Sequence, residues 1–131
     1  MKVSVGDTLP ERAHTPSKVQ LMLYNAALWN AHLIHYNEGY ATEVEGYDGL
    51  VIAGPLLGDW LNQVVETWVG DAGRLVKIEY SNRQASYIGE TLTAGGTVTA
   101  VEGNRVTVDV HIRNAGGDVI APGVATVALN G

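Results

Sequence analysis

One stripe of apolar side chains between Pro55 and Val69 limits most sharply what this chain can fold into. Leu56, Leu57, Trp60, Leu61, Val64, Val65 and Trp68 recur at steps of one and three, so they share one face of an α-helix. Asp59, Asn62, Gln63 and Glu66 take the opposite face. Pro55 stands in the first turn, where a missing N–H does no harm, and Gly70 suits the turn that ends a helix. A stripe this wide, carrying two tryptophans as core residues, fits being wrapped by a curved sheet.

The sequence that follows supplies such a sheet. After Gly70 the period becomes two: Val76, Ile78 and Tyr80 alternate with Lys77, Glu79 and Ser81. Leu92 to Val101 is a second strand, rich in Thr and Val. Glu102-Gly103-Asn104 is a turn, after which Val106, Val108, Val110 and Ile112 alternate with Thr107, Asp109, His111 and Arg113. Asn114 to Asp118 turns again, and Val119 to Leu129 returns as a strand in which Pro122-Gly123 predicts a bulge or an edge position. Residues 1–18 read as an N-terminal arm with one short strand. Val19 to Leu23 fits either a strand or the lead into a helix, and Tyr24 to Gly49 is irregular, as functional segments often are. The expectation is an α+β fold in one domain, 1–131, with a central helix at 55–69 and antiparallel strands over 74–130.

Composition narrows the functions. The 131 residues are 46% apolar and 17% charged, enough for one core and one domain. Eight Lys and Arg against 14 Asp and Glu leave a net charge of −6, which argues against nucleic-acid or anionic-membrane partners. The absence of cysteine excludes disulfides, thiolate zinc sites and cysteine nucleophiles. Met1 to Asp7 has no apolar signal segment, and no apolar run approaches the roughly 20 residues that span a bilayer, so a soluble cytoplasmic protein is expected. No glycine pattern of nucleotide-binding spacing occurs. His32 and His35 are three apart but lack a third ligand nearby, so no metal is expected, and His14 and His111 read as surface residues.

The informative stretch is Trp29-Asn30-Ala31-His32-Leu33-Ile34-His35-Tyr36-Asn37, followed by Gly49-Leu50-Val51-Ile52-Ala53-Gly54-Pro55-Leu56. It resembles the MaoC-like hydratase/dehydratase family, whose motif runs Asp-x-Asn-Pro-aliphatic-His and continues to a glycine at the start of the central helix. With the last His on His35, Asn30 takes the Asp position, His32 the Asn position and Leu33 the Pro position, and Gly54 is the helix-start glycine. One branch of that family has the form Asn-x-His-x-Ile-His-Tyr and then Gly-Leu-Val-x-x-Gly-Pro-Leu. It includes mesaconyl- and itaconyl-CoA hydratases and the mitochondrial type 2 hydroxyacyl-thioester dehydratases. The likeness covers Tyr24 to Val65, and Arg83 with Gly89-Glu90-Thr91-Leu92 extends it.

The resemblance implies a hotdog fold and reversible addition of water to a 2-enoyl thioester. His35 is the candidate proton-transfer group, since an imidazole trades protons in both directions near neutrality. Gly54 would offer its backbone N–H at a helix N-terminus to the developing enolate. Asn30 departs from the usual Asp: an amide orients water but accepts no proton. Either His35 transfers the proton alone while Asn30 positions water, or a carboxylate from elsewhere or from a partner chain completes the site. His32, Tyr36 and Arg83 are the substrate-binding candidates; each also has a plainer reading as a loop, packing or strand-anchoring residue. The resemblance further implies acyl-CoA as substrate, no cofactor, and an acyl tunnel at the interface of a homodimer or of a heteromer with another hotdog chain. Two alternatives stay open. One is a non-catalytic or half-site subunit of a heteromeric enoyl-CoA hydratase, as in steroid side-chain degradation. The other is a hotdog thioesterase, disfavoured because the only helix acids, Asp59 and Glu66, oppose the apolar stripe.

Overall fold

The computed structural model describes residues 1–131. A short strand β1 (Arg12–His14) leads through helix α1 (Lys18–Ala27), a 3₁₀ turn (Leu33–His35) and a π-helical turn (Tyr40–Val44) to the long helix α2 (Gly54–Val69). A second 3₁₀ turn (Gly70–Ala72) joins it to four strands, β2 (Gly73–Tyr80), β3 (Leu92–Glu102), β4 (Arg105–Arg113) and β5 (Val119–Leu129). The strands form one antiparallel sheet in the order β1-β3-β4-β5-β2.

Helix α2 begins with Pro55 in its first turn and ends at Gly70, whose N–H donates to the Glu66 carbonyl. It buries Leu56, Leu57, Trp60, Leu61, Val64 and Val65. Against them the sheet turns the inward-facing Val106, Val108, Val110 and Ile112 of β4, none more than 2% exposed, together with Ile120, Ala125 and Val127 of β5. The β3–β4 hairpin closes through Gly103 and Asn104, with Gly103 at φ 61°. A glycine with positive φ at the first central position is what a type II′ turn requires, and its twist matches the strands it joins.

One open reading is decided and two sequence expectations change. Val19 to Leu23 is helical, within α1, which Ser17 caps by accepting from the Gln20 N–H at 3.1 Å. The β5 irregularity falls at Ile120, opposite the Ile112–Arg113 step of β4, and not at Pro122-Gly123. Pro122 pairs in register with His111 on an interior strand. Its carbonyl accepts from Ser81 just past the end of β2, and its ring nitrogen faces the same side, so no bond to β4 is lost. His14 and His111, read from the sequence as surface residues, are half-buried. His14 stacks on Trp60 with ring centroids 4.4 Å apart and planes 4° from parallel, because β1 turns Arg12 and His14 together onto α2. His111 lies over Gly95 on the outer face, beside Glu11.

Candidate active site

The site is assembled from the connection between α1 and α2 and from the loop after β2. Beyond α1 the chain reverses at Trp29, which has φ 58°, and the Asn30 N–H donates to the Asn25 carbonyl at 2.8 Å. The Asn30 side-chain oxygen accepts from the His32 N–H at 3.1 Å, and His32 Nδ1 accepts from the Ile34 N–H at 3.4 Å. Both are local side chain-to-backbone turns of the kind that short polar residues favour. They start the 3₁₀ turn that carries His35, which is only 8% exposed.

The ring orientation of His35 is fixed by one bond. Its Nδ1 lies 2.6 Å from the Val51 carbonyl oxygen, and the Val51 N–H returns to the Ile34 carbonyl at 3.0 Å. A carbonyl only accepts, so Nδ1 carries the proton. In the neutral ring Nε2 is then the unprotonated nitrogen, free to act as a base.

Two residues after Ile52, α2 opens at Gly54. No side chain caps this end: Ala53 is the N-cap, Pro55 has no N–H, and the Leu56 N–H turns back to the Ala53 carbonyl at 3.0 Å. The Gly54 N–H therefore lies at an uncapped positive helix end with no acceptor inside the protein. A Cβ here would meet the Asn82 side-chain amide, which would have to move aside. Asn82 is exposed, and the backbone on either side of it is tied down: the Ser81 N–H donates to Pro122 and the Arg83 N–H to Ile120, at 3.1 and 2.9 Å. Farther along the loop the Ser86 carbonyl accepts from the Ile52 N–H at 2.8 Å.

These segments line an open cavity of about 270 Å³ whose lining includes His35, Tyr47, Gly54, Asn82, Arg83 and Ser86. Of the six residues singled out from the sequence, His35, Gly54 and Arg83 meet here. Asn30, His32 and Tyr36 lie outside the lining. Asn30 and His32 shape the turn, and Tyr36 is exposed with its hydroxyl donating to the Ala31 carbonyl at 3.0 Å. Sequence reasoning missed Asn82 and Ser86. Ser86 is 2% exposed, and its hydroxyl has no partner in the protein. The His32 and His35 rings meet edge to face at 5.9 Å, and no cluster of three His, Asp or Glu side chains is placed to hold a metal.

Two other features fall outside this cavity. A larger groove of about 560 Å³ on the outer face of the sheet is lined by Glu79, Asp109 and His111 among others, but contains neither His35 nor Gly54. Asp59 and Glu66 are exposed, and the Asp59 carboxylate accepts from the Tyr24 hydroxyl at 2.8 Å. Burial first, and then this bond, push the Tyr24 hydroxyl above its ordinary pKa.

Comparison with known proteins settles the family. The sequence model of hydroxyacyl-thioester dehydratase type 2 matches residues 4–88. The chain belongs to that family. It is 49% identical over 43 residues, 33% of this chain, to the mitochondrial hydroxyacyl-thioester dehydratase type 2 of Schizosaccharomyces pombe. It is 46% identical over 46 residues, 35% of this chain, to the mesaconyl-C(4)-CoA hydratase of Chloroflexus aurantiacus. The matched segments span only 14% and 16% of those two relatives. Among solved structures, the (R)-hydratase of A. caviae superposes with a TM-score of 0.89 at 18% identity, over 98% of both chains. The ChsH1-ChsH2 complex of Mycobacterium tuberculosis gives a TM-score of 0.88 at 20% identity, over 98% of this chain and 100% of that one. At such identities the likeness is one of fold, and the family's hotdog fold is the one this chain has: a central helix wrapped by a curled antiparallel sheet.

Proposed function

We propose that this chain adds water reversibly across the double bond of a 2-enoyl-CoA thioester. His35 Nε2 would take a proton from water as the water oxygen bonds to C3, and would return that proton to C2. Charge developing on the thioester oxygen would fall to the Gly54 N–H at the head of α2. The observation that carries the reading is the 2.6 Å contact of His35 Nδ1 with the Val51 carbonyl, which leaves Nε2 as the base on a cavity shared with Gly54. CoA as the carrier draws support from the mesaconyl-C(4)-CoA hydratase named above.

The test is loss of enoyl absorbance when the purified chain meets short, medium and bulky 2-enoyl-CoAs. Turnover by the chain alone supports a self-sufficient hydratase. Release of free thiol without hydration would point to a thioesterase instead.

A second reading is favoured by Asn30. Its side-chain oxygen is engaged by the His32 N–H outside the cavity lining, and no Asp or Glu of this chain lines the cavity beside His35. A second hotdog chain would then complete the site, pairing along β2. That strand has β5 as its only neighbour and leaves Val76 and Tyr80 45% and 37% exposed, and such an edge is a ready template for another strand. Two-chain complexes of the same fold, ChsH1-ChsH2 and HadBC of Mycobacterium tuberculosis, lend this reading support. Light scattering after size exclusion separates a homodimer from a lone subunit, and folded protein inert toward all three substrate sizes would favour the heteromer.

A further inference from the structure

We propose that Asn82 is a second oxyanion donor, its side-chain amide acting beside the Gly54 N–H on the thioester oxygen. The inference rests on the hydratase reading of the same cavity and names a residue that neither the motif nor the resemblance singles out.

Placement comes first. Asn82 and Gly54 line one cavity together with His35. The amide lies against Gly54 with its donor end nearest: a Cβ built on Gly54 would strike Nδ2, while Cγ and Oδ1 are 3.1 and 3.5 Å from that point. The donor nitrogen and the first free N–H of α2 are therefore neighbours. An oxyanion hole is assembled in this way when a side-chain amide joins a backbone N–H.

Availability comes next. The Asn82 amide takes part in no hydrogen bond within the protein, although the backbone on either side of it is tied to β5. Asn30, the amide that the motif suggests, lies outside the cavity lining. An amide also suits the task chemically. It donates without adding charge, and its donors persist at any pH at which His35 works.

The test uses 4-dimethylaminocinnamoyl-CoA, a coloured enoyl thioester whose absorption moves to longer wavelength when donors polarise its carbonyl. The intact chain should bind the probe and shift its band. Asn82→Ala and Asn82→Asp should still bind it, with a smaller shift; the Asp variant keeps the shape but has no donor. Turnover of an enoyl-CoA should fall by about 10²–10³ in kcat, with KM changed far less. Thermal unfolding of both variants checks that the exposed loop retains its fold. If the native chain shifts the probe and both variants shift it equally, the cavity reading stands and Asn82 has no such role. If the native chain binds the probe without a shift, no donor pair acts on the carbonyl and the inference fails. If it binds no enoyl thioester at all, the hydratase reading falls and takes this inference with it.

Discussion

His35 Nδ1 and the Val51 carbonyl oxygen are 2.6 Å apart, and this bond decides both the tautomer and the aim of the ring. Replacing His35 by Ala removes the proposed base and leaves a buried carbonyl without its donor. Hydration activity should fall by about 10²–10⁴, the usual contribution of general acid–base catalysis. Stability should fall by about 1–3 kcal/mol, the cost of the orphaned acceptor. Enoyl absorbance assays and urea unfolding read the two separately. Activity that survives in a folded His35→Ala protein would falsify the proton-transfer role.

Gly54 and Asn82 should be energetically coupled. Gly54→Ala places a methyl group against the Asn82 amide and should displace it, at a cost of about 1 kcal/mol, the low end for overpacking because the amide is exposed and unbonded. Removing the amide as well, in Gly54→Ala with Asn82→Ala, should recover much of that loss. Urea unfolding of the two single variants and the double variant gives the coupling directly. Strictly additive effects would mean that the two residues do not touch in solution.

What the sequence reveals and what it hides has a physical pattern. The helix of 54–69 and the alternating strands are legible because their apolar residues are the buried ones, so burial reproduces the period. Helix α1 is not, because Val19, Met22 and Leu23 are 67%, 63% and 66% exposed. Its buried positions are Leu21 and the polar Asn25, one turn apart, with Asn25 donating to the Leu21 carbonyl at 2.8 Å. His14 gave no signal either, since a strand of three residues is too short to show which side faces the helix. His35 and Gly54 stand out through a linked motif. Asn82 and Ser86 sit in Ser-Asn-Arg-Gln-Ala-Ser, an ordinary loop composition, and only the return of that loop past the head of α2 brings them to the cavity.

Asn30 is expected to act on activity through the turn that it closes. Its Oδ1 accepts from the His32 N–H at 3.1 Å, and a carboxylate accepts at least as well. Asn30→Asp should therefore keep the turn and retain turnover of the native order. Asn30→Ala should loosen the segment that carries His35 and lower kcat more than it raises KM, with about 1 kcal/mol of stability lost. The comparison of both variants by kinetics and unfolding tells a turn residue from a water ligand. A water ligand would respond to the new charge in Asn30→Asp, with a shifted pH profile, while a turn residue would not.

Acid should weaken this fold through His14 before its carboxylates begin to protonate. Burial against Trp60, and then the Arg12 guanidinium, lower the His14 pKa below its ordinary 6.5. The folded state thus binds fewer protons than the unfolded chain. The stacking contribution is fully present above the unfolded value of 6.5 and is lost as pH falls through the folded pKa. His111 adds a change of the same sign, set by burial and Arg113 and opposed by Glu11. His14→Phe keeps an aromatic ring on Trp60 and removes the titration, so its stability should fall less steeply than the native protein's from about pH 7 to about pH 5, with the His111 share remaining. Urea unfolding across that range gives the difference. Parallel curves for the two proteins would show that His14 titrates alike in the folded and unfolded states, and that its place on Trp60 exerts no pH control over stability.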